Sequence, residues 1–266
     1  MDLEKITRSV IDIATETAVF IDKESRHFDA AKIEHKGKND LVSYVDKQAE
    51  KMLTGVLEEI LPEAGFIAEE GTGTRKEGGL NWVIDPLDGT TNFMHGLPPY
   101  SISIGLLSGK DIISGVIYDI PNKNCYWATK DGLSYCDGEV IKVSEIRNFE
   151  EGLYITGYPY RDFGKYRNFY EMMYHFLSNT HGLRRFGSAA IDLAYVASGK
   201  SEGFFEFFLN PWDVAAGALI IQQAGGIVTD FKGGDNYLFG KELIAGNAHV
   251  QAQMQQVIRD YWEKKY

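Results

Sequence analysis

Nine residues, Asp85-Pro86-Leu87-Asp88-Gly89-Thr90-Thr91-Asn92-Phe93, bring two carboxylates, a tight turn and two hydroxyls together. They follow the apolar run Trp82-Val83-Ile84, so the acids leave the end of a buried strand and enter the start of a helix. Asp-Pro is expected to end that strand, because proline has no N–H to donate and restricts the residue before it. Gly89 lets the backbone turn tightly, and Thr90-Thr91 can cap the next turn, leaving N–H groups free to face an anion. Asp85, Asp88 and the carbonyl of Leu87 are hard oxygen donors of the kind Mg²⁺ takes beside a substrate phosphate. The plainer reading is an acidic turn with a threonine cap, since Pro, Gly and Asp are turn formers.

Other polar residues carry the same ambiguity. Asp213 stands before the apolar helical stretch Val214-Ala215-Ala216-Gly217-Ala218, where it reads as an N-cap or as a metal ligand. Glu206 is a lone charge within Phe204-Phe205-Glu206-Phe207-Phe208, and alternation on an edge strand would turn it to solvent. Ser188 in Gly187-Ser188-Ala189 reads as an N-cap, Asp40 and Ser43 as caps, and Asp46 as an exposed helix acid. Lys36 reads as a solvated loop lysine. The aromatic set Tyr158, Tyr160, Phe163, Tyr166, Phe169 and Tyr170 reads as core and subunit-interface packing, with a base-stacking surface as the alternative.

Two kinds of element must position these residues. Leu3, Ile6, Val10, Ile13, Ala14, Thr17 and Phe20 recur at helical spacing over residues 3–24, and a second amphipathic helix spans Ser43 to Ile60 after a turn at 36–40. Phe66-Ile67-Ala68 is a short strand that delivers Glu69 to its end. Strands at 101–107, 112–118, 124–128 and 132–136, separated by polar turns, form an antiparallel meander that packs on the two N-terminal helices. Beyond about residue 147, strands at 153–156, 203–207, 227–229 and 243–245 alternate with helices at 166–177, 189–197, 214–224 and 249–262. The spacing predicts an α/β chain with a boundary near Ser144 to Glu151, dividing it into 1–147 and 148–266. The site is expected in the crevice between the halves.

The 266 residues can bury a sizeable core, and 44% hydrophobic with 24% charged residues is a globular composition. A net charge of −11 argues against nucleic acid or an anionic membrane as partner. Bound divalent cations would reconcile that acidity with a phosphate substrate. The N-terminus carries no targeting pattern and no window has the roughly 20 apolar residues of a membrane span, so a cytoplasmic location is expected. The two cysteines, Cys125 and Cys136, flank a turn and are expected to be reduced.

Four motifs taken together, Asp40-Leu41-Val42-Ser43 with Asp46, Ala68-Glu69-Glu70-Gly71, the nine-residue run, and Pro211-Trp212-Asp213-Val214-Ala215-Ala216-Gly217 with Gly225-Gly226, resemble the inositol monophosphatase family. The resemblance covers essentially the whole chain. It implies a five-layer αβαβα sandwich, with an N-terminal antiparallel sheet half carrying most metal ligands and a C-terminal mixed or parallel half carrying Asp213 and substrate contacts. It also implies Mg²⁺-dependent, lithium-sensitive hydrolysis of a small phosphate monoester, inositol 1-phosphate first, by metal-activated water and in a homodimer. Two to three Mg²⁺ ions are implied: Glu69, Asp85 and the Leu87 carbonyl on the first, Asp85, Asp88 and Asp213 on the second, and Glu69 on a weaker third. Thr90, oriented by Asp46, would position the attacking water. Gly89 and Thr90 would seat the phosphate, while Gly187, Ser188, Ala189, Glu206 and Asp213 would contact the substrate. Relatives acting on fructose 1,6-bisphosphate, the 2′-phosphate of NADP or 3′-phosphoadenosine 5′-phosphate share the metal motifs. An inactive metal-binding regulatory protein is the alternative of another class.

Overall fold

The structure, a computed structural model, describes residues 1–26, 33–37, 40–158 and 164–264, with side chains described outside 33–42. Tyr160 and Phe163, and the side chains of Lys36 and Asp40, lie outside the described residues. Helix α1 (Leu3–Ser25) starts at Asp2, whose side chain accepts from the Lys5 N–H, and buries Val10, Ile13, Ala14, Thr17 and Ile21. A hairpin of β1 (Ile33–Gly37) and β2 (Asp40–Ser43) then leads into α2 (Tyr44–Ile60). Sequence spacing indicated only its turn, because strands this short carry no apolar alternation to read.

β3 (Gly65–Ala68) and β4 (Leu80–Asp88) precede the single-turn helix α3 (Thr90–Met94). The meander follows as β5 (Ser101–Ser108), β6 (Asp111–Asp119), β7 (Asn124–Thr129), β8 (Ser134–Cys136) and β9 (Glu139–Val140). β3 to β9 form one seven-stranded sheet in chain order, in which β3 runs parallel to β4 and every later pair is antiparallel. The second half comprises β10 (Leu153–Thr156), α4 (Tyr166–Asn179), β11 (Gly182–Arg184), α5 (Ala189–Ala197), β12 (Gly203–Phe207), α6 (Pro211–Gln223), β13 (Gly226–Thr229), β14 (Glu242–Asn247) and α7 (Gln251–Trp262). Its sheet has the order β11-β10-β12-β14-β13, parallel at β10 and antiparallel around β14.

Five layers result. α1 and α2 cover the outer face of the seven-stranded sheet, α5 and α6 fill the space between the two sheets, and α4 and α7 cover the far face of the five-stranded sheet. Each interface has its own apolar core, around Leu53 and Trp82, around Leu193 and Ile220, and around Phe176 and Phe205. α5 is buried from Ala189 to Leu193 and beyond, as a helix with apolar residues on all sides must be. α6 comes so close to the first sheet that a Cβ on Gly115 would stand 2.8 Å from the Ala216 carbonyl oxygen and 2.9 Å from its Cα.

The strand expected to stop at Asp85-Pro86 instead continues to Asp88. The register against β5 shifts between Asp85, which faces Ser103, and Asp88, which faces Ser101. Three steps on β4 thus match two on β5, and this bulge accommodates a proline in an interior strand. Within it the Leu87 N–H is taken by its neighbour's side chain, Asp85 Oδ1, at 3.0 Å.

Cys136 pairs with Tyr126 across β7 and β8, so Cys125 points to the opposite face. The two thiols are free, and burial pushes Cys125 up to about 12. Among the described residues no helix is long and apolar enough to cross a membrane.

Candidate active site

The four acids arrive from three separate elements. Glu69 follows β3, where its N–H donates to the Ile84 carbonyl at 3.1 Å. Glu50, buried on α2, holds that turn by accepting from the N–H groups of Glu70 at 2.8 Å and Thr72 at 2.9 Å. Asp85 and Asp88 occupy the two ends of the β4 bulge, and Asp213 comes from α6. One carboxylate oxygen from each of Asp85, Asp88 and Asp213 lies within 4.8 Å of the others.

Asp213 was expected to be an N-cap if it was not a ligand. The cap is Asn210, and Asp213 is the third helical residue, whose Oδ2 accepts from the Asn210 N–H at 2.6 Å. That bond occupies one oxygen and orients the other. Ser188 does cap α5, yet its hydroxyl also donates to Asp88 Oδ2 at 2.6 Å, and the Ala190 N–H donates to the same oxygen at 2.7 Å. Asp88 is therefore held by the second half of the chain.

Asp46 is not the exposed helix acid that its position in sequence suggested; it is 1% exposed. Its Oδ2 accepts from the Ser43 N–H at 2.9 Å and hydroxyl at 2.6 Å, closing a capping box on α2, while its Oδ1 lies 3.0 Å from the Thr90 hydroxyl. Thr90 Oγ1 is also 3.0 Å from the Leu87 carbonyl oxygen. One hydroxyl has one proton, and a carboxylate is the stronger acceptor. Thr90 thus donates to Asp46, which leaves the Leu87 carbonyl open to another partner. Gly89 sits at φ +90, where a Cβ would meet the Pro99 carbonyl oxygen at 3.0 Å. Glycine alone suits both that angle and that approach.

The electrostatics are those of crowded acids. Burial first, and then Glu69, Asp88 and Asp213, push the Asp85 carboxyl well above the usual carboxylate range. Burial and Asp88 push Asp213 up to about 8. Burial also raises Asp88, against the bonds from Ser188 and the backbone at Ala190. Glu206 rises to about 8 by burial, opposed by the charge of Arg185. Like charges this close are favourable only with a cation among them, and an all-oxygen donor set fits a hard divalent ion.

These groups border a cavity of about 510 Å³. Glu69, Asp88, Gly89, Thr90, Gly187, Ser188, Ala189, Glu206 and Asp213 line it, while Asp46, Asp85 and Leu87 lie buried behind them. Glu206 faces this cavity instead of solvent, because β12 is an interior strand between β10 and β14. Sequence reasoning passed over Arg185 and Asp192, which line the same cavity. Asp192 is the one acid in Ala189-Ala190-Ile191-Asp192-Leu193-Ala194, and a single charge in an all-apolar helix was the available signal. The aromatic set divides: Phe169 is in the core, whereas Tyr158 and Tyr170 are exposed.

The layered fold with an acid-lined cleft defines an α/β protein with a candidate metal site. The chain belongs to the inositol monophosphatase family, whose model matches residues 2–266. The inositol-1-monophosphatase of Rhizobium meliloti is 36% identical over 84% of this chain and 85% of its own length. The Nus factor SuhB of Escherichia coli is 38% identical over 87% of each. The crystal structure of the extragenic suppressor protein suhB from Bartonella henselae superposes with a TM-score of 0.91 at 33% identity, over 96% of this chain and 98% of that one.

Proposed function

We propose that the protein is a Mg²⁺-dependent phosphomonoesterase that releases phosphate from a small polyol phosphate, inositol 1-phosphate first among candidates. The observation that carries this reading is the meeting of Asp85, Asp88 and Asp213 within 4.8 Å at a cavity lined also by Gly89 and Thr90. Glu69, Asp85 and the Leu87 carbonyl would hold one ion, Asp85, Asp88 and Asp213 a second, and Glu69 a weaker third. When bound, the ions neutralise phosphoryl charge and make water a better nucleophile at neutral pH.

The chain's own groups do the rest. The N–H groups of Gly89 and Thr90, at the first turn of α3, lack intrahelical partners and receive phosphoryl oxygens. Because the Thr90 proton points to Asp46, the lone pairs of Oγ1 are left to accept from a water and fix its orientation. Asp46 is held in turn by Ser43. Glu206 accepts a hydroxyl of the alcohol, and the Gly187-Ser188-Ala189 turn borders the same group. Unpaired cysteines accord with a cytoplasmic location, and exposed Tyr170, Tyr174 and Leu177 along α4 accord with a homodimer.

The test is phosphate release from inositol 1-phosphate with and without Mg²⁺, in the wild type and in Asp88→Asn. Release that needs Mg²⁺ and falls at least about a hundredfold in the variant is expected, as for loss of a group that holds the reacting centre. The Escherichia coli relative carries the name Nus factor, so a role independent of turnover is the second reading. It predicts no metal-dependent release by the wild type from any polyol, sugar or nucleotide phosphate.

A further inference from the structure

Besides Gly89 and Thr90, the cavity is lined by two further acids, Asp192 and Glu206, and, among the described residues, by one cation, Arg185. Glu206 on β12 lies against Gly157, where a Cβ would stand 1.9 Å from its carboxyl carbon, so only a glycine leaves room for that side chain. Asp192 on α5 forms part of the same wall. It is 2% exposed, and its Oδ1 has no hydrogen-bond partner. The charge of Arg185 acts on Asp88, Asp192 and Glu206 alike, and its guanidinium carbon lies 5.8 Å from the centre of the Tyr158 ring.

An acid near a helix N-terminus commonly serves the helix dipole. That accounts for an exposed carboxylate, not for one buried with an orphaned oxygen, which is costly to leave unpaired. An unpaired oxygen kept at a cavity wall points to a partner that arrives with the ligand.

We propose that Asp192 is a specificity-determining residue which, beside Glu206, selects an alcohol carrying hydroxyl donors and disfavours one carrying a second phosphate. The proposal rests on the phosphomonoesterase reading above. Hydroxyls bring protons that both acids can accept. Burial holds both acids toward the protonated form; wherever they ionise, a second phosphate, with its oxygen acceptors and negative charge, meets like charge opposed among the described lining residues only by Arg185, in a confined, poorly screened space. The site thereby separates a polyol monophosphate from a bisphosphate, which the metal ligands alone do not.

The experiment compares kcat/KM for inositol 1-phosphate, fructose 1,6-bisphosphate and phenyl phosphate, which has no hydroxyl, in the Mg²⁺-loaded wild type, Asp192→Ala and Asp192→Asn. Asp192→Ala is expected to lose about tenfold on inositol 1-phosphate, mainly through KM, with phenyl phosphate unchanged, the size of one lost hydrogen bond. The bisphosphate-to-monophosphate ratio rises about tenfold in both variants. Asp192→Asn, which keeps an acceptor without the charge, retains most of the inositol 1-phosphate rate. A calorimetric titration of the Ca²⁺-loaded proteins with inositol supplies a readout independent of turnover, with binding weakened about tenfold in Asp192→Ala. Equal losses on all three substrates, an unchanged ratio, or unchanged inositol binding overturns the proposal. If Asp192→Ala does not fold, Asp192→Asn carries the ratio test. A wild type that releases no phosphate defeats the functional reading, while the titration still decides whether Asp192 contacts the alcohol.

Discussion

Asp46 joins two tasks in one side chain. One oxygen closes the capping box of α2 and the other holds Thr90. Asp46→Asn keeps the shape of the pair but replaces one acceptor oxygen with a donor. We expect kcat to fall by about a hundredfold with KM nearly unchanged, within the range for loss of a group that places the reacting water. Steady-state kinetics on inositol 1-phosphate decide it, and a rise in KM alone would assign Asp46 to binding. Thr90 and Asp46 lie 44 residues apart, so their contact was readable in the sequence only through the resemblance to a family. Read from local sequence, Asp46 looked like any surface acid. Asp192 escaped for a related reason: its role depends on what α5 packs against, which neighbouring residues do not record.

At the scale of elements, the nine-residue run was legible because its chemistry is local. Turn, cap and ligands all follow from the order Asp-Pro-Leu-Asp-Gly-Thr. The bulge was not legible, since it is a relation between β4 and β5 and depends on register. The positions of α1, α2 and the meander were plain from apolar period, whereas β11 and the first hairpin were too short to leave one. α6 was expected from Val214 and begins at Pro211, a residue suited to the first turn of a helix. Its seat on the sheet depends on Gly115. Gly115→Ala would press a methyl group into Ala216, and overpacking of this kind costs about 1–3 kcal/mol. Because Asp213 rides on the same helix, we expect weaker Mg²⁺ binding along with the lower Tm. Calorimetry of both properties separates this from a purely structural effect, which would lower Tm alone.

For the whole molecule, the crowded acids link folding to pH and to metal. Asp213 and Glu206 are raised to about 8 in the folded chain, from ordinary values near 3.8 and 4.5. Between those limits the folded state holds protons that the unfolded state has lost, so stability from these groups declines as pH rises. In EDTA, Tm should therefore fall from pH 5 to pH 8, and Mg²⁺ should raise it more at pH 8, where fewer protons compete for the ligands. Scanning calorimetry at the two pH values checks both signs, and a metal-free Tm that climbs with pH would contradict them. The bonds that steady Asp88 have a further consequence for synthesis. Its partners Ser188 and Ala190 come 100 and 102 residues later, and Asp213 later still. On the proposed assignment, a nascent chain that has completed its first sheet would carry Glu69, Asp85 and the Leu87 carbonyl for one ion but would lack Asp213 for the second. The cage closes only when α6 has left the ribosome, so an N-terminal fragment carrying most of the ligands would be an incomplete chelator.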